Sequence, residues 1–187
     1  ARSTADIEHN GLTLNGVGNG TKIENIYVLE SADDAIEFFG GTVNVTNLLA
    51  VNPDDDMFDF TQGYCGTLKN CYGVWESDYT STEADPRGIE ADGNMDGLDA
   101  DHLRQSDFKV ENMTIVNNAA NTADNVDRMQ DVIKIRRGAK ATITNALVKG
   151  TGGAIDLVDM KDSKGAGNIE SSINITSTLS LTGLKQN

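Results

Sequence analysis

The sequence predicts an all-β solenoid, a parallel β-helix of about six coils, each of about 22 residues. Three observations predict it: an Asn-centred phrase recurs along the chain, a shorter alternating phrase precedes it in each coil, and the composition suits a thin core. The Asn phrase is Lys22-Ile-Glu-Asn25-Ile-Tyr-Val28, then Asn44-Val-Thr-Asn47-Leu-Leu-Ala50, then Thr67-Leu-Lys-Asn70-Cys-Tyr-Gly73. It returns as Lys109-Val-Glu-Asn112-Met-Thr-Ile115, as Thr142-Ile-Thr-Asn145-Ala-Leu-Val148 and, more loosely, as Ser171-Ser-Ile-Asn174-Ile-Thr-Ser177. The first two intervals are 22 and 23 residues, and the later ones of 42, 33 and 29 read as the same unit with insertions. A fixed period in this range marks a repeat architecture.

The first strand of each coil is the alternating phrase. It reads Gly11-Leu-Thr-Leu-Asn15, Ala35-Ile-Glu-Phe-Phe39, Met57-Phe-Asp-Phe-Thr61, Gly88-Ile-Glu-Ala-Asp92, Val132-Ile-Lys-Ile-Arg136 and Ala154-Ile-Asp-Leu-Val158. Alternation of apolar and polar residues is what a half-buried strand requires. A Gly-rich turn, a second short strand, the Asn corner and a third strand complete the coil. Asn tolerates left-handed backbone and bonds the chain around a tight corner. With coils about 4.8 Å apart, Asn25, Asn47, Asn70, Asn112 and Asn145 are expected to bond one another as a ladder. The whole chain, residues 1–187, reads as a single β-helix domain with loop insertions at 79–87, 93–107 and 119–130. All three fall on the fourth coil and its neighbours, which points to a functional region there.

Composition agrees with this architecture and narrows the function. Aromatics are 5% and Pro only 2 residues against 19 Gly, as a slim column filled by small and β-branched side chains demands. The net charge of −14 argues against nucleic acid and anionic membranes and favours cations. No apolar run approaches the length of about 20 residues that a membrane-spanning helix needs. Residues 1–10 carry no apolar signal core, so the chain reads as a mature or truncated product. Cys71 stands where other coils have Ile26, Leu48, Met113 and Ala146, which predicts a buried thiol; a Cys65–Cys71 disulfide is the alternative. Trp75 is expected in the core.

The Asn ladder, with three short strands per coil, resembles that of the pectate lyase superfamily, which implies a right-handed single-stranded parallel β-helix. Closer phrases are Asp33-Asp-Ala-Ile-Glu-Phe-Phe-Gly-Gly-Thr-Val-Asn44, Asn10-Gly-Leu-Thr-Leu-Asn-Gly-Val-Gly18 and Arg87-Gly-Ile-Glu-Ala-Asp92. These are similar to phrases of bacterial secreted and cell-surface β-helix proteins, and the likeness runs over roughly residues 10–118. It implies a secreted or cell-surface location and brings no established reaction with it.

Alternation places Thr13, Glu37, Asp59, Glu90, Lys134 and Asp156 in one outward column, flanked by Asn15, Phe39, Thr61, Asp92, Arg136 and Val158. Carboxylates stacked about 4.8 Å apart repel by about 3.5 kcal/mol at an effective dielectric near 20, which calls for a cation or a shared proton. Calcium (Ca2+) is the expected cation, held by Glu37, Asp59 and Glu90 with the loop residues Asp92, Asn94, Asp96, Asp99 and Asp101. That loop opens as an EF-hand does but has Leu103 at its twelfth position. Were the chain an enzyme, a polysaccharide lyase or glycoside hydrolase, Asp59, Glu90, Lys134 and Arg136 would carry the chemistry. The expected role is instead a non-catalytic structural or adhesive module. Its expected partners are glycans or surface proteins, and its coils are expected to stack end to end into homo-oligomers.

Overall fold

The computed structural model describes residues 8–94, 104–119, 129–161, 169–182 and 185–186. Short first strands are β1 (Leu12–Asn15), β3 (Ile36–Phe39), β5 (Phe58–Thr61), β7 (Ile89–Asp92), β9 (Met129–Arg136), β11 (Gly153–Asp159) and β13 (Lys185–Gln186). Between them lie longer strands: β2 (Lys22–Leu29), β4 (Asn44–Val51), β6 (Thr67–Trp75), β8 (Asp107–Asn117), β10 (Lys140–Lys149) and β12 (Ser172–Thr182). The odd strands form one parallel sheet in chain order and the even strands a second. Each pair of strands is one coil, and the described residues contain no helix. The chain is a parallel β-helix.

The expected second and third strands are a single run bent at the Asn. In β2 and β4 the pairing goes from Glu24↔Thr46 to Ile26↔Leu48, stepping over the corner. Asn25, Asn47, Asn70, Asn112 and Asn145 all have φ between 54 and 60°. A lone left-handed residue redirects the strand without interrupting the pairing on either side. Each amide donates to the one below: Asn47 to Asn25 at 2.9 Å, Asn70 to Asn47 at 3.0 Å, Asn112 to Asn70 and Asn145 to Asn112 at 2.9 Å. In the sixth coil the corner is Ser177 (φ 61°), not Asn174, which pairs with Thr142. A bulge there shifts the register after Thr144, so the looser last phrase is displaced by three residues.

Stacking also fills the core. Phe38 and Phe60 lie 5.2 Å apart with rings 7° from parallel, and Phe60 meets Phe108 at 4.1 Å. Leu48, Cys71, Met113 and Ala146 continue the inward column that begins at Ile26. Cys71 is a buried free thiol and Cys65 is also free. Trp75 is buried and donates its indole N–H to the Pro53 carbonyl at 2.8 Å.

One register differs from the expectation. Lys134 lies opposite Asp159, and Val158 opposite Ile133, while Asp156 faces Asp131. The expected alignment of Ile155 with Ile133 is off by three residues. The segment Ala154–Val158 carries apolar residues in both parities (Ala154 and Val158, Ile155 and Leu157), so alternation alone does not select its register.

Substituting the central rung tests the corner. Asn70→Ala should cost about 2–4 kcal/mol, combining left-handed strain with two lost amide bonds. Asn70→Gly keeps the backbone free to turn and should cost only about half as much. Urea unfolding in which both variants match the parent would show that the ladder is decorative.

Candidate functional site

Three columns of side chains run up the face of the first-strand sheet. The outer two were anticipated; the third, at the entry to each strand, was not. It contains Asn10, Asp34, Asp56, Arg87 and Asp131, each two residues before Leu12, Ile36, Phe58, Ile89 and Ile133 in turn, and continues to Asp156 of β11, which pairs with Asp131. Its lower members bond the backbone of the coil above: Asn10 Oδ1 accepts from Asp34 N at 3.2 Å, Asp34 Oδ1 from Asp56 N at 2.9 Å, and Asp56 Oδ1 from Arg87 N at 2.6 Å. This is a second stacked ladder, legible in retrospect from the equal offset before Leu12, Ile36, Phe58 and Ile89.

Arg87 changes the sign of that column at its middle. Its buried guanidinium binds Glu90, Asp85 at 2.9 Å and Asp131 at 3.5 Å. Burial opposes its charge, but Asp56, Glu90 and Asp85 more than compensate and hold it ionised. On the next coil Arg136 binds Glu90 and grips Asp92 through both oxygens, at 2.6 and 3.2 Å. Arg137, in left-handed backbone (φ 54°) at the turn after β9, reaches the same Asp92 at 2.9 Å. Lys134 is drawn to Asp159 and to the Lys161 carbonyl.

Beside these pairs lies a cleft of about 250 Å³, lined by Glu37, Phe39, Asp59, Thr61, Gln62, Glu90, Asp92, Arg136 and Arg137. The structure thus gathers Glu37, Asp59, Glu90, Asp92 and Arg136 in one place, while Lys134 is outside the lining. Asn94 is buried where the 93–107 loop leaves the cleft rim. Ser106 closes the base of that loop, donating to the Asp92 carbonyl at 2.6 Å and accepting from Gly63 N at 3.1 Å. Asp96, Asp99 and Asp101 lie outside the described residues. Asp54 anchors the 79–87 excursion by accepting from Thr82 N at 2.8 Å and Tyr79 OH at 3.1 Å.

Carboxyls on the acidic side of the cleft resist ionising. Burial, then Asp34, Glu37 and Glu90, push Asp59 well above the usual carboxylate range. Asp34 and Asp56 are raised in the same way, first by burial and then by Asp55. Glu37 is raised from 4.5 to about 7, mainly by burial, although Asn10 donates to it at 2.5 Å and a hydrogen bond with Asp59 steadies it. Asp55 rises from 3.8 to about 8. Glu90 is raised by burial but pulled back by Arg87 and Arg136. Asp59 is partly exposed as a residue, yet its Oδ1 is cut off from solvent and has no hydrogen-bond partner among the described residues.

These geometries decide which acids suit a cation. Asp92 and Glu90 give both oxygens to guanidiniums, which compete with a cation for them. Asp34, Asp56 and Asp59 each offer an oxygen, all within 4.8 Å of one another. Calcium, with oxygens at about 2.3–2.6 Å, fits between ligands so spaced, and the unpartnered Asp59 Oδ1 fits a hard cation.

The sequence matches the family model for pectate-lyase-like β-helix domains over residues 1–186. No curated protein and no solved structure matches it.

Two measurements test the electrostatics. The raised carboxyls hold protons in the folded state that the unfolded chain releases, so stability is greatest at acid pH and falls as pH rises through the folded pKa values. For Glu37 and Asp55 the window runs from about 4 to about 8. Thermal melts should show Tm falling across it, and Glu37→Gln should raise Tm at the alkaline end by about 2–4 °C, the shift given by about 1 kcal/mol in a chain of this size. A Tm that climbs over the same range would show that these groups titrate normally. At the alkaline end, added calcium should restore several degrees and chelator remove them; melts indifferent to both would exclude the ion.

Proposed function

Because the chain belongs to the pectate-lyase-like β-helix family, we propose that it serves as a secreted or cell-surface adhesive module that takes a sugar residue into the first-strand cleft. The observation that carries this reading is the lining of that cleft. An apolar aromatic edge at Phe39, a hydroxyl and an amide at Thr61 and Gln62, and carboxyls locked in place by arginines share one concavity. Sugars present apolar ring faces bordered by hydroxyls, and sites of mixed apolar and fixed polar groups match that pattern. At about 250 Å³ the cleft suits one ring better than a drug-sized ligand, for which about 300–1,000 Å³ is usual. Likeness of the Asp33–Asn44 phrase to secreted and cell-surface β-helix proteins supports the location.

A second reading is glycoside hydrolysis, favoured by one observation. Glu37 keeps its proton up to about neutral pH, whereas Glu90, on the far side of Asp59, is raised by burial but drawn back by two arginines. Carboxyls driven apart in pKa are the usual division into acid and base. Elimination chemistry is less well served. Arg136 is held ionised above its ordinary range, with burial overcome by Asp92 and Glu90, and Lys134 is paired with Asp159 away from the cleft.

A glycan array followed by titration calorimetry tests both readings. The parent should retain a defined set of glycans, and Phe39→Ala should weaken binding about tenfold through loss of the apolar edge. Release of reducing ends from a retained glycan, abolished in Glu37→Gln, would promote hydrolysis over adhesion. An array with no retained glycan would remove both.

A further inference from the structure

We infer that the cleft is selective for a cationic amino sugar, a glycan residue carrying a free ammonium group, and rejects polyuronates; this rests on the glycan-binding reading above. Four carboxyls line the cleft (Glu37, Asp59, Glu90 and Asp92) against two guanidiniums, Arg136 and Arg137. Both guanidiniums are already bonded to Asp92, and Arg136 also to Glu90. The cleft's existing cations are therefore committed to Glu90 and Asp92, and Glu37 and Asp59, which keep their protons while the cleft is empty, are the acids that an entering ammonium would ionise. Asp34 and Asp56 bring further carboxylate oxygens close to Asp59.

A second, independent feature points to a donor. Asp59 Oδ1 is shielded from solvent and accepts no hydrogen bond among the described residues, although Asp59 lines the cleft. A shielded carboxylate oxygen without a donor is costly, and a ligand that supplies one relieves that cost. An ammonium offers three donors together with a positive charge that favours the ionised form of Asp59. Phe39 on the same rim adds an aromatic ring, which attracts cations as well as apolar sugar faces. A uronate reverses every term: its carboxylate would oppose ionisation of Glu37 and Asp59 and would meet guanidiniums already engaged. N-acetylation removes the charge and leaves the ring, so it separates the ammonium from the sugar.

Calorimetric titration of the purified chain tests this, in chelator so that no metal ion competes for Asp59, and at about pH 6, where an amine with a pKa near 7.7–8 is protonated. The probes are a β-linked glucosamine oligomer, its fully N-acetylated counterpart and an oligogalacturonate. The glucosamine oligomer should bind at least about tenfold more tightly than the acetylated one, and the oligogalacturonate should give no heat. Asp59→Asn should lower glucosamine affinity to that of the acetylated oligomer and leave the latter unchanged. Glu111→Gln, on the exposed opposite sheet beside Lys69, should change nothing. Equal binding of the free and acetylated oligomers, or preference for the galacturonate, would overturn the inference and leave the glycan-binding cleft standing. An equal loss in Glu111→Gln and Asp59→Asn would also overturn it, since bulk charge would then explain the attraction. If none of the three oligomers binds and the array is also empty, the cleft reading fails with it.

Discussion

Every long-range feature of this molecule depends on one constraint: the chain turns at the same residue in each coil. In five coils the turn is an Asn in left-handed backbone, its amide bonded to the next Asn of the ladder, and in the sixth it is Ser177 in the same conformation. Neither property alone would suffice. Left-handed backbone lets the strand change direction, and the amide bond ties successive turns to one height. Together they make residues some 22 positions apart direct neighbours, and most packing and electrostatics follow from that adjacency. Phe38 on Phe60 and Glu37 on Asp59 are the same event on opposite sides of one strand.

Stacking equivalent residues has an electrostatic consequence that ordinary folds avoid. A carboxyl chosen once is met again about 4.8 Å higher, where solvent screening is incomplete. The first-strand face copes in three ways. Asp34 and Asp56 turn their oxygens onto backbone N–H groups of the next coil. Glu90, Asp92 and Asp131 are met by Arg87, Arg136 and Arg137. Glu37 and Asp59 are left to keep a proton or to find a cation. The last solution is the one that leaves chemistry available, because the Asp59 Oδ1 that no described residue satisfies can take a partner from outside.

Legibility in the sequence varied with how local the cause was. Asn corners and first strands were readable because a single residue type or a two-residue alternation produces them within one coil. The outward column Glu37–Asp59–Glu90 was readable for the same reason, since three consecutive coils share one pattern. The entry column ending at Arg87 was missed because its members differ in type and share only an offset. The sixth coil was misplaced by three residues because Ala154–Val158 is apolar on both faces, and Ser177 replaced Asn174 at the corner once a bulge intervened. The motif around Asp92 pointed to calcium and gave no sign of the two arginines from the following coil that bind it.

By itself, then, the amino-acid sequence determined the repeat, the parallel stacking and the concentration of acid on one face, since each arises from contacts within a coil or from a strict period. Tertiary structure alone decided which acids are neutralised, which are shielded and which face an open cleft. The physical reason is that a charge is settled by whatever lies within a few ångströms of it, and here those neighbours come from other coils. Arg136 stands 46 residues from Glu90 along the chain and within bonding reach of it in space.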